Sequence, residues 1–374
     1  MPIPTISLAA GTDVKKIAFF DFLRGWSALM VFFHHAAILG GGPEFLSGHL
    51  GSEAVNSFMM ASGFLIYYQA ISSKMYQGFK TKTGIVNFYI RRFFRIAPTY
   101  YLALLIALTF SEELGNYRLT IQEILHSRAT DMSRYFIENK ALNAITHLTF
   151  IFGFLPKFSF SNPLPDWSLG LEMQFYLLFP LFFRVMRQRF LLGLLSFGIL
   201  MKLIIMATGY VDFIFPMPSF LPLKFHCFAV GMILAHLMTR PPQSRDWLIV
   251  AAGICMLVLW NRNLVMPLLF LGSYLYLLQK RPFFPKLNRF FDPIFRHKSS
   301  VFLADVSYSL YIFHLLIMLP WFGILLLGRQ HGNLEWFCLT LPLLVLVIGF
   351  SYGVYKLVEL PGIRWGKSFI KKTG

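Results

Sequence analysis

The stretch Phe19–Gly42 reads FFDFLRGWSALMVFFHHAAILGGG, almost wholly apolar, yet it carries Asp21, Arg24, His34 and His35. On an α-helix each residue turns ~100° and rises ~1.5 Å, so the steps from Arg24 to His35 make nearly three full turns and ~16 Å of depth. The guanidinium and the second imidazole therefore share a face. Asp21, one turn before Arg24, lies on that face and is expected to pair with it. His34 sits ~100° around the helix and reads as a packing or supporting residue. Ionisable groups inside a membrane span cost a few kcal/mol each unless they face protein or water, so they mark a substrate, ion or proton path.

Other polar clusters interrupt apolar runs. NFYIRRFFRIAPTYY, Asn87–Tyr101, sets Arg91, Arg92 and Arg95 at one end of a span. Guanidinium forks match phosphate geometry, and arginines there also act as plain topological anchors. PLPDWSLGLEMQFYLLFP, Pro163–Pro180, places Glu172 about one turn inside a span, with Trp167 and Tyr176 reading as an interfacial aromatic belt. DVSYSLYIFHLLIM, Asp305–Met318, brings His314 near mid-depth with Ser307, Tyr308 and Tyr311 within two turns. In MASGFLIYY, Met60–Tyr68, Ser62 and Gly63 let helices approach closely. No metal site is expected: there is no HExxH, and adjacent His34 and His35 do not share a helix face. P-loop and GxSxG patterns are absent too.

These residues need helices to hold them. The chain has 374 residues, 56% hydrophobic and 14% charged, with apolar runs recurring along most of its length. Runs of ~20 residues cross ~30 Å of hydrocarbon, so the expected fold is all-α, a polytopic membrane helix bundle. Ten spans are expected, near 17–39, 54–72, 93–111, 169–186, 190–208, 220–238, 247–261, 264–279, 302–327 and 336–357. A shorter apolar stretch, 142–156, ends at Pro156 and reads as re-entrant or interfacial. With it excluded, the clusters around Lys74–Arg95, Arg184–Arg189 and Lys280–Lys298, and the basic tail, all join Lys15 and Lys16 on the cytoplasmic side. Both termini are then cytoplasmic by the positive-inside rule. The net charge of +17 follows from that rule and favours anionic lipid; no nucleic-acid partner is expected. Lys15 and Lys16 precede a span too long and too charged to be a cleavable signal peptide. Cys227, Cys255 and Cys338 fall in apolar runs and read as inert thiols.

Taken in order, seven stretches resemble the membrane acyltransferase-3 family: DFLRGWSALMVFFHHA, VNSFMMASGFLI, RRFFRIAPTYY, PDWSLGLEMQFYLLFP, FHCFAVGMILA, SYSLYIFH and YKLVELPG. They extend from Asp21 to Gly362. The resemblance implies an integral-membrane enzyme of the bacterial inner membrane. Such an enzyme O-acylates an extracytoplasmic glycan or lipid-linked glycan from cytosolic acyl-CoA, usually acetyl-CoA. It implies a cytoplasmic segment 1–16, a membrane acyltransferase domain 17–362 and a basic cytoplasmic tail 363–374. By position, His35 matches the family's catalytic histidine, Arg24 its arginine partner, Arg92 and Arg95 its Arg-x-x-Arg pair, and Glu172 the carboxylate after Trp-Ser-Leu. Three places depart from the pattern: Asn56 stands where an aspartate is usual, Ala97 where a tyrosine is usual, and Leu360 follows Glu359.

On that resemblance, Arg92 and Arg95 would hold CoA phosphates. His35 would act as general base on the acceptor hydroxyl or carry the acyl group itself. Glu172 would position the acceptor or orient the imidazole, and Asp21 would hold Arg24. His34, Ser62, Trp167, Tyr308, Tyr311 and His314 would support the site or line it. The rival class is a transporter or flippase whose intramembrane charges line a solute or proton path, for which Lys202 and Lys224 within spans speak.

Overall fold

In the computed structural model, residues 18–73, 75–126, 131–207, 214–241, 243–260, 263–277, 285–328 and 332–371 are described. The expected segment 1–16 lies outside them, as do Lys74, Lys280, Arg281 and Lys372. Among the described residues there is no strand. Apart from one turn at Glu44–Ser47, the α-helices among the described residues are α1 (Ala18–Gly40), α2 (Leu50–Ser72), α3 (Lys82–Thr109), α4 (Ser111–Leu125), α5 (Lys140–Leu148), α6 (Trp167–Gln188) and α7 (Phe190–Ala207). They continue as α8 (Leu221–Met238), α9 (Asp246–Trp260), α10 (Val265–Leu277), α11 (Pro285–Phe295), α12 (Lys298–Leu325), α13 (Asn333–Val354) and α14 (Leu360–Ser368). A helix satisfies its own backbone, which is what a chain this apolar needs in lipid.

Over its described residues, each of the ten apolar stretches is mostly helical. Among the described residues, six helical runs are long and apolar enough to cross a membrane: α1, α6, α7, α8, α12 and the continuous α13–α14 run. The α3–α4 pair, bent by 70°, would make a seventh. At 15 and 13 residues, α9 and α10 are shorter than the ~20 residues a full crossing takes. α2 is as long as α1 but less apolar, because Glu53, Asn56, Ser57 and Ser62 interrupt it. The stretch 142–156 is not one helix. α5 ends at Leu148, Phe150 takes a left-handed φ of 58°, and two 3-10 turns follow.

Helix directions follow from the pairings. Ser62 meets Glu172 and the Tyr67 ring meets Phe183, so α2 and α6 run the same way. Tyr89 reaches the Leu177 carbonyl and Tyr100 reaches Asp166, so α3 runs opposite to α6. The chain between α3 and α6 thus begins and ends on the same side of the bundle. α1 and α12 also run together, with Arg24 on Ser307 and His35 on His314.

At the centre α2 packs on α8 with almost no gap. A Cβ at Gly63 would stand 2.2 Å from the Phe228 carbonyl oxygen, and one at Gly231 2.0 Å from that of Met60. α7 and α13 lie outside, exposing Leu192, Ile199, Leu203, Leu341 and Val345, as lipid-facing helices do. A π-turn, Tyr355–Glu359, joins α13 to α14. α14 then folds against α3, and Asn87 clasps its end: Nδ2 donates to the Lys371 carbonyl (2.9 Å) and the Lys371 amide donates to Oδ1 (3.1 Å).

Candidate active site

A cavity of about 400 Å³ lies among α1, α2, α3, α6, α12 and α14. Along α2 it extends from Gln69 to Val55, ~21 Å at helical rise. One end is basic: Arg91, Arg92 and Arg95 from α3 and Lys367 from α14 line it with Gln69. Asp21 and Arg24 line the wall from α1, and Arg24 Nη2 donates to Ser307 Oγ (3.4 Å). At the far end stand Phe58, Ser168 and Tyr311.

The arginines at the basic end differ in what holds them. Arg92 donates to Gln69 Oε1, and its guanidinium lies 5.5 Å from the ring centres of both Phe88 and Tyr176. Its buried Nε has no hydrogen-bond partner. Arg95 is instead paired with Glu359, which also accepts from Ser309 Oγ (2.7 Å) and is 1% exposed. The π-turn is what carries that carboxylate inward; such turns recur at functional sites.

Midway, Glu172 accepts from Ser62 Oγ (2.7 Å) and from the Tyr176 hydroxyl one turn along α6. Tyr176 is buried rather than standing in an aromatic belt, because a phenol one turn from a carboxylate can bond it within the bundle. Tyr308 also lines the cavity, its hydroxyl held by the Ile96 carbonyl (2.9 Å).

At the far end Tyr311 donates to the Pro165 carbonyl (2.6 Å) and accepts from Ser168 Oγ (2.8 Å). The loop carrying Pro165 is fixed by Asp166, whose carboxylate accepts from the Tyr100 hydroxyl (2.7 Å) and Asn162 Nδ2 (2.9 Å). Buried Arg134 ties the same loop through the Asn162 and Leu164 carbonyls, at 2.9 and 3.0 Å. Behind Tyr311 lies His314, ring centres 6.2 Å apart, and behind His314 lies His35, at 4.9 Å. His314 Nε2 and His35 Nδ1 are 3.0 Å apart.

His35 therefore sits one layer past the cavity's end rather than on its wall, and the side chain against its imidazole is His314, not Glu172. His34 stands edge-on to His35, ring centres 5.1 Å apart, but bonds elsewhere: its Nδ1 is 3.0 Å from the Leu46 carbonyl and its ring fills the space over Gly51. Trp167 begins α6 and packs partly buried against the core, off the cavity wall. Among the described residues no three His, Cys, Asp or Glu side chains gather as metal ligands. Lys224 donates to Asn56 Oδ1 (3.0 Å), at the position where the sequence departs from aspartate.

Gln69 and Lys367 enter the site without any local signal in the sequence, and Ser168 and Glu359, though inside family-like stretches, without any sign of what they meet. Their partners lie on other helices, Arg95 and Glu359 being 264 residues apart. Lys367 reads in sequence as one more charge of a basic tail.

A family model described as an acyltransferase domain, of the acyltransferase-3 type, matches residues 17–356. The chain belongs to the acyltransferase-3 family. Over 139 residues it is 29% identical to acyltransferase MdmB of Streptomyces mycarofaciens, a match covering 37% of this chain and 30% of that protein. No solved structure matches it. The family match, together with the long apolar helices among the described residues, supports a multi-pass membrane protein of that family. The matched range takes in Arg24, His35, Arg92, Arg95, Glu172 and His314, while Glu359 and Lys367 follow its end.

Proposed function

We propose that this acyltransferase moves an acyl group, acetyl being the smallest case, from cytosolic acyl-CoA to a hydroxyl of an extracytoplasmic acceptor. A cell-surface polysaccharide, lipopolysaccharide or lipid-linked glycan at the bacterial inner membrane fits that role. The observation that carries the reading is one cavity, cationic at one end, that runs ~21 Å through the bundle to the layer in front of a histidine pair. Arg92 and Arg95, with Arg91 and Lys367 beside them, suit the diphosphate of CoA. The apolar side chains of α2 along this path, Leu65, Met59 and Phe58, suit its pantetheine arm. His35 takes the proton of the acceptor hydroxyl. The hydroxyl oxygen then bonds to the thioester carbon, the carbon–sulfur bond breaks, and the thiolate leaves with the proton returned from His35. Glu172, between the two ends, positions the thioester or the acceptor.

Purified protein given acetyl-CoA and a hydroxyl acceptor should release free CoA thiol in step with acylated product. Transport without chemistry would release none, and that result would sink the reading.

In the same reading all ten apolar stretches cross, α9 and α10 as short spans, and both termini are cytoplasmic. The shared direction of α2 with α6, and of α1 with α12, supports the absence of a net crossing between α3 and α6. Single cysteines at Lys157 and Gln188, both exposed, test it in a background lacking Cys227, Cys255 and Cys338. An impermeant thiol reagent on intact cells should label position 157 and spare position 188. The opposite pattern would invert α6 and carry Glu172 away from an external acceptor.

A further inference from the structure

We infer that His314 is a positioning residue that fixes the tautomer of His35 and leaves the Nε2 lone pair of His35 as the reactive atom. The inference rests on the reading of His35 as the proton acceptor. His314 is wholly buried on α12. Its Nδ1 lies 2.7 Å from the Tyr311 carbonyl and 3.3 Å from that of Leu310. Carbonyl oxygens only accept, so Nδ1 carries the hydrogen and Nε2 of the neutral ring is a bare acceptor. That acceptor is 3.0 Å from His35 Nδ1, which also lies 3.1 Å from the Val31 carbonyl. Both neighbours of His35 Nδ1 accept, so the hydrogen sits there, shared between them. In the neutral ring Nε2 is then unprotonated.

The arrangement performs with two imidazoles what a carboxylate and an imidazole perform in a hydrolase triad: the second group holds the first in its basic tautomer and steadies the imidazolium that forms. A neutral partner suits this depth. A carboxylate there would add a buried charge that had to be compensated whenever His35 is neutral, whereas the bond from His35 Nδ1–H to His314 strengthens as the positive charge appears. The pair is braced from the cavity side. Tyr311, whose carbonyl holds His314 Nδ1, is itself tied to Pro165 and Ser168. A change at the cavity's far end is thereby linked to the orientation of His35.

Three variants and one spectrum test this. His314→Leu removes the acceptor at similar volume. It should lower kcat ~10²-fold, the scale of a displaced general base, and leave the KM for acyl-CoA within about twofold, since the donor's basic end is far away. His314→Gln offers an amide oxygen to the same hydrogen and should recover a large part of the lost kcat. Full kcat in the Leu variant, or equal losses in Leu and Gln carried by KM, would overturn the assignment. The tautomer is read without activity by ¹⁵N NMR of histidine-labelled wild-type protein, with His35→Gln used for assignment. His35 should show a protonated Nδ1 and a bare Nε2, and the reverse would overturn the proposal even if the Leu variant failed to fold. Absence of thiol release from the wild type would instead sink the acyl-transfer reading and leave the spectrum to stand alone.

Discussion

His35→Ala should lower acyl transfer by at least ~10²-fold, the usual contribution of a general base, while the protein stays folded and inserted. The imidazole is only partly buried, and its loss leaves His314 Nε2 without its donor. An unmet acceptor of this kind costs roughly 1–3 kcal/mol, which a bundle with this many buried aromatic side chains can absorb. Thiol release and product formation by purified protein measure the effect, and a size-exclusion profile confirms the fold. Retention of more than about a tenth of wild-type turnover, far above what loss of a general base permits, would remove His35 from the reaction. His34→Ala is the matched control. That ring packs over Gly51, and its Nδ1 faces the Leu46 carbonyl, so its loss should be several-fold at most. Equal losses from both would mean that the neighbouring imidazole had been misassigned.

The sequence makes this half of the site legible because it lies on one helix. The Arg24–His35 spacing needs only the pitch of α1, and α1 is unbroken from Ala18 to Gly40. His314 is legible as a polar residue at mid-depth, but its pairing with His35 is not. That depends on α12 running beside α1 in the same direction, which follows from how many intervening segments cross. The stretch 142–156 decides that number, and its break at Phe150 is a left-handed residue that no apolar run announces. The Asp21–Arg24 pairing is an expectation from the pitch of one helix alone, whereas the contact of Arg24 with Ser307 on α12 depends on the fold of the bundle. Glu172 is legible as a carboxylate inside a span, yet its partners Ser62 and Tyr176 leave His35 to another residue. At the basic end, sequence treats Arg92 and Arg95 as equals because they are one turn apart on α3. Only the π-turn that delivers Glu359 distinguishes them.

That difference sets the remaining large effect. Arg92→Ala should weaken acyl-CoA binding roughly ten- to a hundredfold, the equivalent of a charged hydrogen bond worth ~1.5–3 kcal/mol, with little change in stability or in acceptor affinity. Its local ties are a neutral amide and two ring faces, so nothing charged is stranded when it goes. Arg95→Ala strands Glu359, a carboxylate 1% exposed whose remaining partner is Ser309. Removing one member of a fully buried ion pair costs ~3–5 kcal/mol; with the Arg95 side chain 27% exposed the loss is smaller, but this variant should still lose thermal stability as well as donor affinity. Glu359→Gln in the Arg95→Ala background removes the stranded charge, and should restore melting temperature without restoring donor binding. Lys367→Ala, exposed at the cavity's edge, should weaken the donor only a few-fold, as solvent-screened charges do. Calorimetric titration with acyl-CoA and thermal melting separate these outcomes. Normal donor binding by Arg92→Ala would leave the α3 arginines as anchors of topology and require the phosphates to be held elsewhere. Equal destabilisation by Arg92→Ala and Arg95→Ala would mean that Glu359 is not what sets the two arginines apart.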